Sequence, residues 1–308
     1  MTFLYKADPV RGAVWAELFA QRAPQYAFHI WPDIGDPAAV RFLAAWEPPP
    51  DLERLFPNLQ LLFSVGAGVD QFDFAALPAK LPVVRMVEPG IVNAMVEYVC
   101  CAVLGLHRDL PVYLRQQRDE DWRVIRVVPA SRRGVGVLGL GVLGQAVLTQ
   151  LRGFGFDCAG WSRTRHEIEG IRCYAGQGEL PEFLARTDIL VCLLPLTPAT
   201  RGMLNTKLFA ALPHGAGLVH VGRGPQLEAP DLLAALASGQ IGHAILDVCD
   251  PEPLPPGHGF WQHPRVWLTP HIASMTQPES AVEVVLENLR RFEQGEPLLG
   301  QVDRVHGY

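Results

Sequence analysis

The sequence predicts an α/β fold with two domains, and three observations support this expectation. The chain has 308 residues, which is more than a single compact domain usually contains. Short apolar runs alternate with helical patterns through residues 2–86, and a second series of the same kind extends from Gly134 to residue 269. This alternation is typical of parallel sheets that are covered by helices.

The first series predicts a parallel sheet of modest size. Its short runs lie at residues 3–5, 26–31, 41–46, 59–65 and 83–86, and a helical pattern lies at residues 13–21. Residues 93–108 follow, and they include many small and apolar residues and no proline. They predict a helix of about four turns that bridges the two domains.

The second series contains six predicted strands with interleaved helices, which matches a doubly wound sheet. The strands are expected at residues 135–138, 158–161, 189–194, 218–221, 244–248 and 266–269, and the helices at residues 142–151, 180–185 and 230–238. Residues 278–292 then form one amphipathic pattern, and no strand follows it, so we expect this helix to return to the first domain. Its apolar face is predicted to consist of Ala281, Val284, Val285, Leu289 and Phe292.

Composition and charge argue against several classes of protein. The net charge is −6 and basic residues are scattered, so we expect no nucleic-acid-binding surface. The six cysteines lack C-x-x-C spacing, which favours reduced thiols in a cytoplasmic protein over a metal site or disulfides. The longest apolar run, residues 98–106, is half as long as a membrane span, and no signal peptide is recognisable. We therefore expect a cytoplasmic protein that inserts into no membrane.

The segment Gly139-Leu140-Gly141-Val142-Leu143-Gly144 has the pattern G-x-G-x-x-G. It directly follows an apolar strand and opens a helix, which is the context that a dinucleotide fingerprint requires. The first glycine permits a tight turn, the second admits a pyrophosphate, and the third lets the helix pack on the strand. A P-loop is excluded because Gln145 and Ala146 stand where Lys and Ser or Thr are needed.

The end of the second predicted strand bears on cofactor choice. An NAD site usually places an acidic residue there to bind the ribose hydroxyls, but this chain has Ser162-Arg163-Thr164-Arg165. Arg163 with the hydroxyls of Ser162 and Thr164 could bind a 2′-phosphate. The sequence therefore favours NADPH, with NADH as the alternative if Arg163 is a solvated loop residue.

Three charged or titratable residues follow later strands. Arg223 ends one strand, Glu252 follows the next, and His271 follows the last, so all three are expected at the ligand-binding edge of the sheet. Reduction of a 2-ketoacid needs a cation for the carboxylate and a proton donor for the developing alkoxide, which Arg223 and His271 supply. Glu252 would orient the imidazole and stabilise its protonated form.

These motifs together resemble the D-isomer-specific 2-hydroxyacid dehydrogenase family. The resemblance is carried by G-x-G-x-x-G, Gly222-Arg223-Gly224, Leu246-Asp247-Val248, Pro251-Glu252-Pro253-Leu254-Pro255 and Thr269-Pro270-His271-Ile272-Ala273. Within the family, further segments are similar to reductases of glyoxylate and hydroxypyruvate: SVGAGVD at 64–70, WSRTR at 161–165, FWQHP at 260–264 and GQVDR at 300–304.

The resemblance implies a doubly wound Rossmann dinucleotide-binding domain, residues 99–274, inserted into a smaller flavodoxin-like α/β substrate domain, residues 1–98 and 275–308. It implies a homodimer whose interface includes the long helices. It further implies that the backbone of Ala67, Gly68 and Val69 binds the substrate carboxylate and that Trp46 lines the substrate pocket, although core packing is an equally good interpretation of Trp46. The residues expected at the cofactor are Gly139, Gly141, Val142, Leu143, Gly144, Ser162, Arg163, Thr164, Leu194, Pro195, Val221, Gly222, Asp247 and His271.

Two positions depart from the family pattern. His220 stands where Asn is frequent, and Gly259-Phe260 replaces Pro-Leu before Trp261. His220 could alter hydrogen bonding at the strand end, and Phe260 could change the pocket wall or the dimer surface. Alternatives to a reductase of small 2-ketoacids are a reductase of bulkier ones such as phenylpyruvate, formate oxidation, and a cofactor-sensing interaction protein on the same scaffold.

Overall fold

The computed structural model describes residues 1–304. The chain divides into two compact units, one formed by residues 1–91 and the described residues from Met275 onward, the other by Val92–Ser274. The predicted limits differ at the first junction, where residue 98 was expected, because one helix runs through both positions. Residues 305–308 of the predicted substrate domain lie outside the described residues.

The first unit contains a five-stranded parallel sheet in the order β2-β1-β3-β4-β5. Parallel sheets of order 2-1-3-4-5 are flavodoxin-like, so this part of the fold prediction is confirmed. Its strands are β1 (Thr2–Lys6), β2 (Ala27–Ile30), β3 (Val40–Ala45), β4 (Leu61–Ser64) and β5 (Val83–Val84). Its helices are α1 (Pro9–Arg22), α2 (Leu52–Leu55) and α9 (Pro278–Gln294).

Local sequence accounts for both long helices of this unit. Asp8 caps α1 by accepting from two backbone N–H groups, and Pro9 occupies the first turn, where its missing N–H is not needed. Helix α9 packs against α1, and the Tyr26 hydroxyl donates to Glu293 at 2.6 Å. The buried face of α9 includes Val282 and Asn288 in place of the predicted Val284 and Phe292, which are half-buried.

The second unit contains a seven-stranded parallel sheet in the order β12-β11-β10-β9-β6-β7-β8. Counted from β6, this is the 3-2-1-4-5-6 order of a doubly wound nucleotide-binding sheet with one added strand. The strands are β6 (Gly134–Leu138), β7 (Asp157–Ser162), β8 (Arg172–Ala175), β9 (Ile189–Cys192), β10 (Ala216–His220), β11 (Ile241–Leu246) and β12 (Val266–Leu268). The helices are α3 (Pro89–His107), α4 (Leu110–Arg118), α5 (Val142–Gly153), α6 (Gly176–Ala185), α7 (Thr206–Ala210) and α8 (Ala229–Ser238).

The prediction of six strands missed β8, an edge strand in which only Tyr174 is fully buried. The central strands bury alternate residues on opposite faces of the sheet. Leucines at 138, 190, 218 and 246 belong to one core, whereas Val137, Val191, Val219 and Ile245 belong to the other. Helix α3 covers the second core through Val99 and Val103.

Helix α3 has 19 residues, because it begins at Pro89 rather than at residue 93. It is long and apolar enough to cross a membrane by length and composition alone, and 39% of that window is buried within the structure. Core helices of water-soluble proteins meet the same criterion, so a single such helix is weak support for a membrane span.

Candidate active site

The strands of the second sheet end in register, which brings their loops to one edge. The paired positions run across the sheet from Trp161 through Leu138, Cys192, His220 and Leu246 to Leu268. The residue after each of these lies at the carboxyl edge, where open α/β sheets bind ligands. The predicted cofactor and catalytic residues of this unit therefore follow strands that share one edge.

The glycine-rich loop between β6 and α5 has the shape that a pyrophosphate requires. Gly139 has φ +107, a conformation that L side chains rarely adopt. A Cβ on Gly144 would lie 1.8 Å from the Gly139 carbonyl oxygen, whereas a Cβ on Gly141 would meet nothing within 4 Å. The loop is thus closed on its inner side and open at Gly141, beside the free N–H groups at the start of α5. Val142 and Leu143 form the first turn of that helix.

Residues 162–165, at the end of β7 and in the loop after it, include no Asp or Glu. The Ser162 hydroxyl donates to the Thr164 carbonyl at 2.6 Å, so it serves the turn itself. Arg165 pairs with Glu179 and donates to the Cys173 carbonyl. Arg163 and Thr164 are exposed, so a guanidinium lies at this corner of the site.

Arg223 lies between two glycines that are required by close backbone contacts. A Cβ on Gly222 would lie 2.2 Å from Oε1 of Gln226, and a Cβ on Gly224 would lie 1.8 Å from the Cys249 carbonyl oxygen. The Arg223 guanidinium donates to the Gly222 carbonyl at 2.8 Å. The motif Gly-Arg-Gly is therefore explained by packing on both sides of the arginine.

Glu252 and His271 form a hydrogen-bonded pair. Nδ1 of His271 lies 2.8 Å from Oε2 of Glu252, and the N–H of Cys249 donates to Oε1 at 2.9 Å. The His271 side chain is 34% exposed and the Glu252 side chain 39%, so the imidazole is accessible from solvent. A carboxylate held at one oxygen by backbone and at the other by imidazole fixes the orientation of the ring.

His271 has φ +54, which is unusual for a residue other than glycine. Its N–H donates to the Asp247 carbonyl at 2.8 Å. The Asp247 carboxylate accepts from the N–H groups of Ile272 and Ala273, each at 2.8 Å. Such conformations persist where surrounding contacts enforce them, and they are concentrated at functional sites.

Asp247 is thus an anchor for the His271 loop, a role that sequence reasoning missed. It is buried and also accepts from the Thr269 hydroxyl at 2.6 Å. Because that hydroxyl has one proton, Tyr98 must donate to Thr269 across their 2.5 Å contact. Burial is the main cause that raises the pKa of Tyr98 to about 12. The position of Asp247 after a strand was visible in the sequence, but the loop that folds over it was not.

The remaining expected cofactor residues follow β9 and β10. Leu194 and Val221 are buried, Pro195 is half-buried, and the Val221 N–H donates to the Cys192 carbonyl at 3.2 Å. His220 takes part in hydrogen bonding at the strand end, because its Nε2 lies 2.9 Å from the Arg223 carbonyl oxygen.

Phe260 lies in the core of the second unit, among the residues packed between helices and sheet. The expectation that it changes a pocket wall or a dimer surface is therefore wrong: an aromatic ring at 3% exposure contributes to packing.

The first unit has its own loop of predicted substrate residues after β4. The buried Ser64 donates to the Gly68 carbonyl at 2.8 Å and accepts from the Gly66 N–H. Within residues 1–304, the N–H groups of Ala67, Gly68 and Val69 make no hydrogen bond. Adjacent unused N–H groups form a favourable environment for an anion.

Trp46 lies beside this loop, and a Cβ on Gly66 would lie 3.2 Å from its ring. Trp46 is 43% exposed. It is therefore not a simple core residue.

A doubly wound sheet with this fingerprint loop, and a histidine–carboxylate pair at the same edge, defines a dinucleotide-dependent oxidoreductase. The comparisons agree: residues 100–273 match the family described as "D-isomer specific 2-hydroxyacid dehydrogenase, NAD binding domain". The chain belongs to the D-isomer-specific 2-hydroxyacid dehydrogenase family, as the sequence resemblance indicated.

Individual relatives match over nearly the whole chain. Glyoxylate/hydroxypyruvate reductase A of Yersinia enterocolitica is 39% identical over 96% of both chains. A family member from Xanthobacter autotrophicus Py2, solved in complex with NADPH and MES, has a TM-score of 0.95 and 41% identity, covering 100% of this chain and 99% of the other. The NADPH-dependent glyoxylate/hydroxypyruvate reductase of Sinorhizobium meliloti, in complex with NADP and sulfate, has a TM-score of 0.92 and 35% identity with the same coverage.

Proposed function

We propose that this protein uses NADPH to reduce small 2-ketoacids, converting glyoxylate to glycolate and hydroxypyruvate to D-glycerate. The observation that carries the proposal is the His271–Glu252 pair, which follows strands of the same sheet edge as the glycine-rich loop. The relatives in Yersinia and Sinorhizobium carry names for this activity, which supports the choice of substrates.

The fit of the second unit to a dinucleotide rests on the open space at Gly141 and the exposed Arg163 side chain. A 2′-phosphate would be attracted there, and no carboxylate at residues 162–165 repels it. NADPH, when bound, supplies the hydride. We assign the cofactor to Gly139, Gly141, Val142, Leu143, Gly144, Ser162, Arg163, Thr164, Leu194, Pro195, Val221, Gly222, Asp247 and His271.

The chain's own residues supply charge and a proton. Arg223 binds the carboxylate of the 2-ketoacid, since a guanidinium matches a carboxylate in geometry and charge. Nδ1 of His271 faces Glu252, which leaves Nε2 to donate a proton to the ketone oxygen as it becomes a hydroxyl. Glu252 orients the ring.

The first unit contributes substrate binding in this proposal. The N–H groups of Ala67, Gly68 and Val69, which make no hydrogen bond within residues 1–304, bind the substrate carboxylate, and the exposed Trp46 ring beside them limits substrate size. A bulky ring beside the anion-binding N–H groups favours glyoxylate over phenylpyruvate.

We further propose that the enzyme is a cytoplasmic homodimer. The six cysteines are all free thiols, which suits a reducing compartment. After α3, a run of large apolar residues is exposed, and exposed apolar patches are typical of interaction surfaces. This run consists of Leu110, Leu114, Trp122, Val124 and Val127.

Replacement of Arg223 by alanine tests the proposed chemistry. We expect turnover of glyoxylate to be abolished while NADPH still binds, because the glycine-rich loop is separate from the arginine. Steady-state rates and the quenching or enhancement of NADPH fluorescence measure the two properties. Near-normal turnover by Arg223→Ala would contradict the assignment, and the exposed Arg172 of β8 provides a control substitution.

A further inference from the structure

Gln226 is a fully buried amide that joins the ends of two neighbouring strands. Its Oε1 accepts from the Arg223 N–H at 2.8 Å. Its Nε2 donates to the carbonyl oxygens of Leu194 and Pro195, each at 3.1 Å. The residue has 0% exposure, so water cannot replace any of these three bonds.

The surroundings are built around this amide. A Cβ on Gly222 would collide with Oε1 of Gln226, at 2.2 Å. The Arg223 carbonyl, in turn, accepts from the Gln226 N–H at 3.0 Å and faces Nε2 of His220 at 2.9 Å. Both backbone polar groups of Arg223 are therefore held by residues buried behind the sheet edge.

We propose that Gln226 is a positioning residue that sets the backbone of Arg223 relative to the Leu194-Pro195 segment. The inference rests on the proposed function, in which Arg223 binds the 2-ketoacid and Leu194 and Pro195 flank the cofactor. An amide suits this task because it carries an acceptor and two donors. An apolar side chain of equal size would leave one N–H and two carbonyl groups without these partners.

Loss of the Gln226 hydrogen bonds affects the reaction rate as well as the structure. Small displacements of a group that orients a substrate reduce the rate strongly, since reacting groups must be held in a narrow range of geometry. Loss of the Gln226 amide frees Arg223 and the Leu194-Pro195 segment to move apart. A substitution of Gln226 is therefore expected to lower the rate of ketoacid reduction by more than a loss of folding stability alone would.

A matched pair of substitutions separates positioning from stability. Gln240 also donates from Nε2 to two backbone carbonyls, those of Phe209 and Leu212, at 2.8 and 3.0 Å. It precedes β11, at the opposite edge of the sheet from Arg223. Gln226→Met and Gln240→Met each remove an amide that bonds two carbonyls, but only the first touches Arg223.

We expect Gln226→Met to reduce kcat/KM for glyoxylate about tenfold or more, whereas Gln240→Met keeps the wild-type value. Thermal midpoints of both variants report the structural loss. Wild-type kcat/KM in Gln226→Met, or an equal loss in Gln240→Met, overturns the inference alone. A wild-type enzyme that reduces no 2-ketoacid overturns the proposed function and this inference with it.

Gln226→Glu provides a second readout if the methionine variant fails to fold. A protonated carboxyl can accept from Arg223 and donate to one carbonyl, but an ionised one faces two carbonyl oxygens. The titratable groups linked to it through hydrogen bonds are Cys192, whose Sγ lies 3.9 Å from Oε1, and His220, whose Nε2 faces the same Arg223 carbonyl oxygen that accepts from the Gln226 N–H. Burial raises the pKa of Cys192 to about 12 and lowers that of His220 to about 4, so neither titrates near neutral pH.

The kcat/KM of Gln226→Glu is therefore expected to fall with rising pH in a step that the wild-type enzyme lacks, since burial raises the pKa of a carboxyl group. A pH profile parallel to that of the wild type overturns the positioning role.

Discussion

Nδ1 of His271 lies 2.8 Å from Oε2 of Glu252, while the Cys249 N–H holds the other oxygen of the same carboxylate. A carboxylate accepts and does not donate, so Nδ1 carries a proton in this pair. Nε2 is then the imidazole atom available to exchange a proton with a ligand. This assignment of the two ring nitrogens underlies the proposed acid catalysis.

Glu252→Gln should reduce kcat for glyoxylate by about 10- to 100-fold, which is less than the roughly 100- to 10,000-fold that acid–base catalysis contributes, because His271 itself remains. The amide keeps the size of the side chain but replaces the charged carboxylate that faces Nδ1 of His271 by a neutral group. Initial rates at saturating NADPH measure the effect, and NADPH affinity should be unchanged. The control is Glu17→Gln on the exposed face of α1; equal kcat values in wild type and Glu252→Gln would contradict the role.

Alanine is expected to be harmful at one glycine of helix α5 and favourable at another: it should weaken NADPH binding at Gly144 and raise helix stability at Gly153. In Gly144→Ala the new Cβ would lie 1.8 Å from the Gly139 carbonyl oxygen, so the glycine-rich loop must deform and NADPH affinity should fall by about tenfold or more. In Gly153→Ala the Cβ meets nothing within 4 Å, and helix propensity favours alanine by up to about 1 kcal/mol. NADPH titration and thermal denaturation measure both variants. Equal NADPH affinity in Gly144→Ala and wild type would refute the packing argument.

Arg163→Ala should raise KM for NADPH while leaving KM for NADH nearly unchanged, since only NADPH carries the 2′-phosphate. Loss of one charge-assisted contact corresponds to about 1.5–3 kcal/mol, or roughly tenfold to a hundredfold in affinity. The ratio of kcat/KM values for the two cofactors is the measurement. Arg172→Ala is the matched control, because that arginine is exposed on the neighbouring strand β8. If both substitutions change the ratio alike, general charge rather than a phosphate site explains cofactor choice.

His220 should make stability depend on pH in the acid range. Burial lowers its pKa from 6.5 to about 4 in the folded protein, so between these values the unfolded chain binds a proton that the folded chain does not. Stability therefore falls as pH drops from 6.5 through 4, by about 3 kcal/mol for this group. His243, whose pKa burial also lowers to about 4, contributes in the same direction.

In His220→Asn this contribution disappears, while an amide can still donate to the Arg223 carbonyl. Urea denaturation at pH 7 and pH 5 compares the two proteins. The variant should lose less stability than the wild type between these pH values, and identical losses would show that His220 does not titrate as its burial implies.

Most of the fold could be predicted because its strands are continuous apolar runs bounded by glycine and polar residues. This held for β6, β9 and β10, which are buried on both faces. It failed for β8, where Arg172, Cys173 and Tyr174 give no apolar run because an edge strand is covered on fewer sides. It also failed for α4, which is only nine residues long and ends in four polar residues, 115–118, because so short an element gives little room for a repeating apolar pattern.

The part of the site that could be predicted consists of residues that follow the ends of strands. Arg223, Glu252 and His271 were expected at one edge because parallel strands end together, and the register of β10, β11 and β12 places the preceding residues side by side. The left-handed backbone of His271 and the anchoring by Asp247 could not be predicted. They depend on a loop that returns over the strand end, and no periodic pattern encodes such a contact.

The proposed reduction of small 2-ketoacids is measured by initial rates of NADPH oxidation with glyoxylate and with hydroxypyruvate, with NADH as the alternative cofactor and phenylpyruvate as a bulkier substrate. We predict clear turnover of both small 2-ketoacids, a higher kcat/KM with NADPH than with NADH, and a lower one for phenylpyruvate. Absence of oxidation with either small substrate, or a preference for NADH, would contradict the proposal.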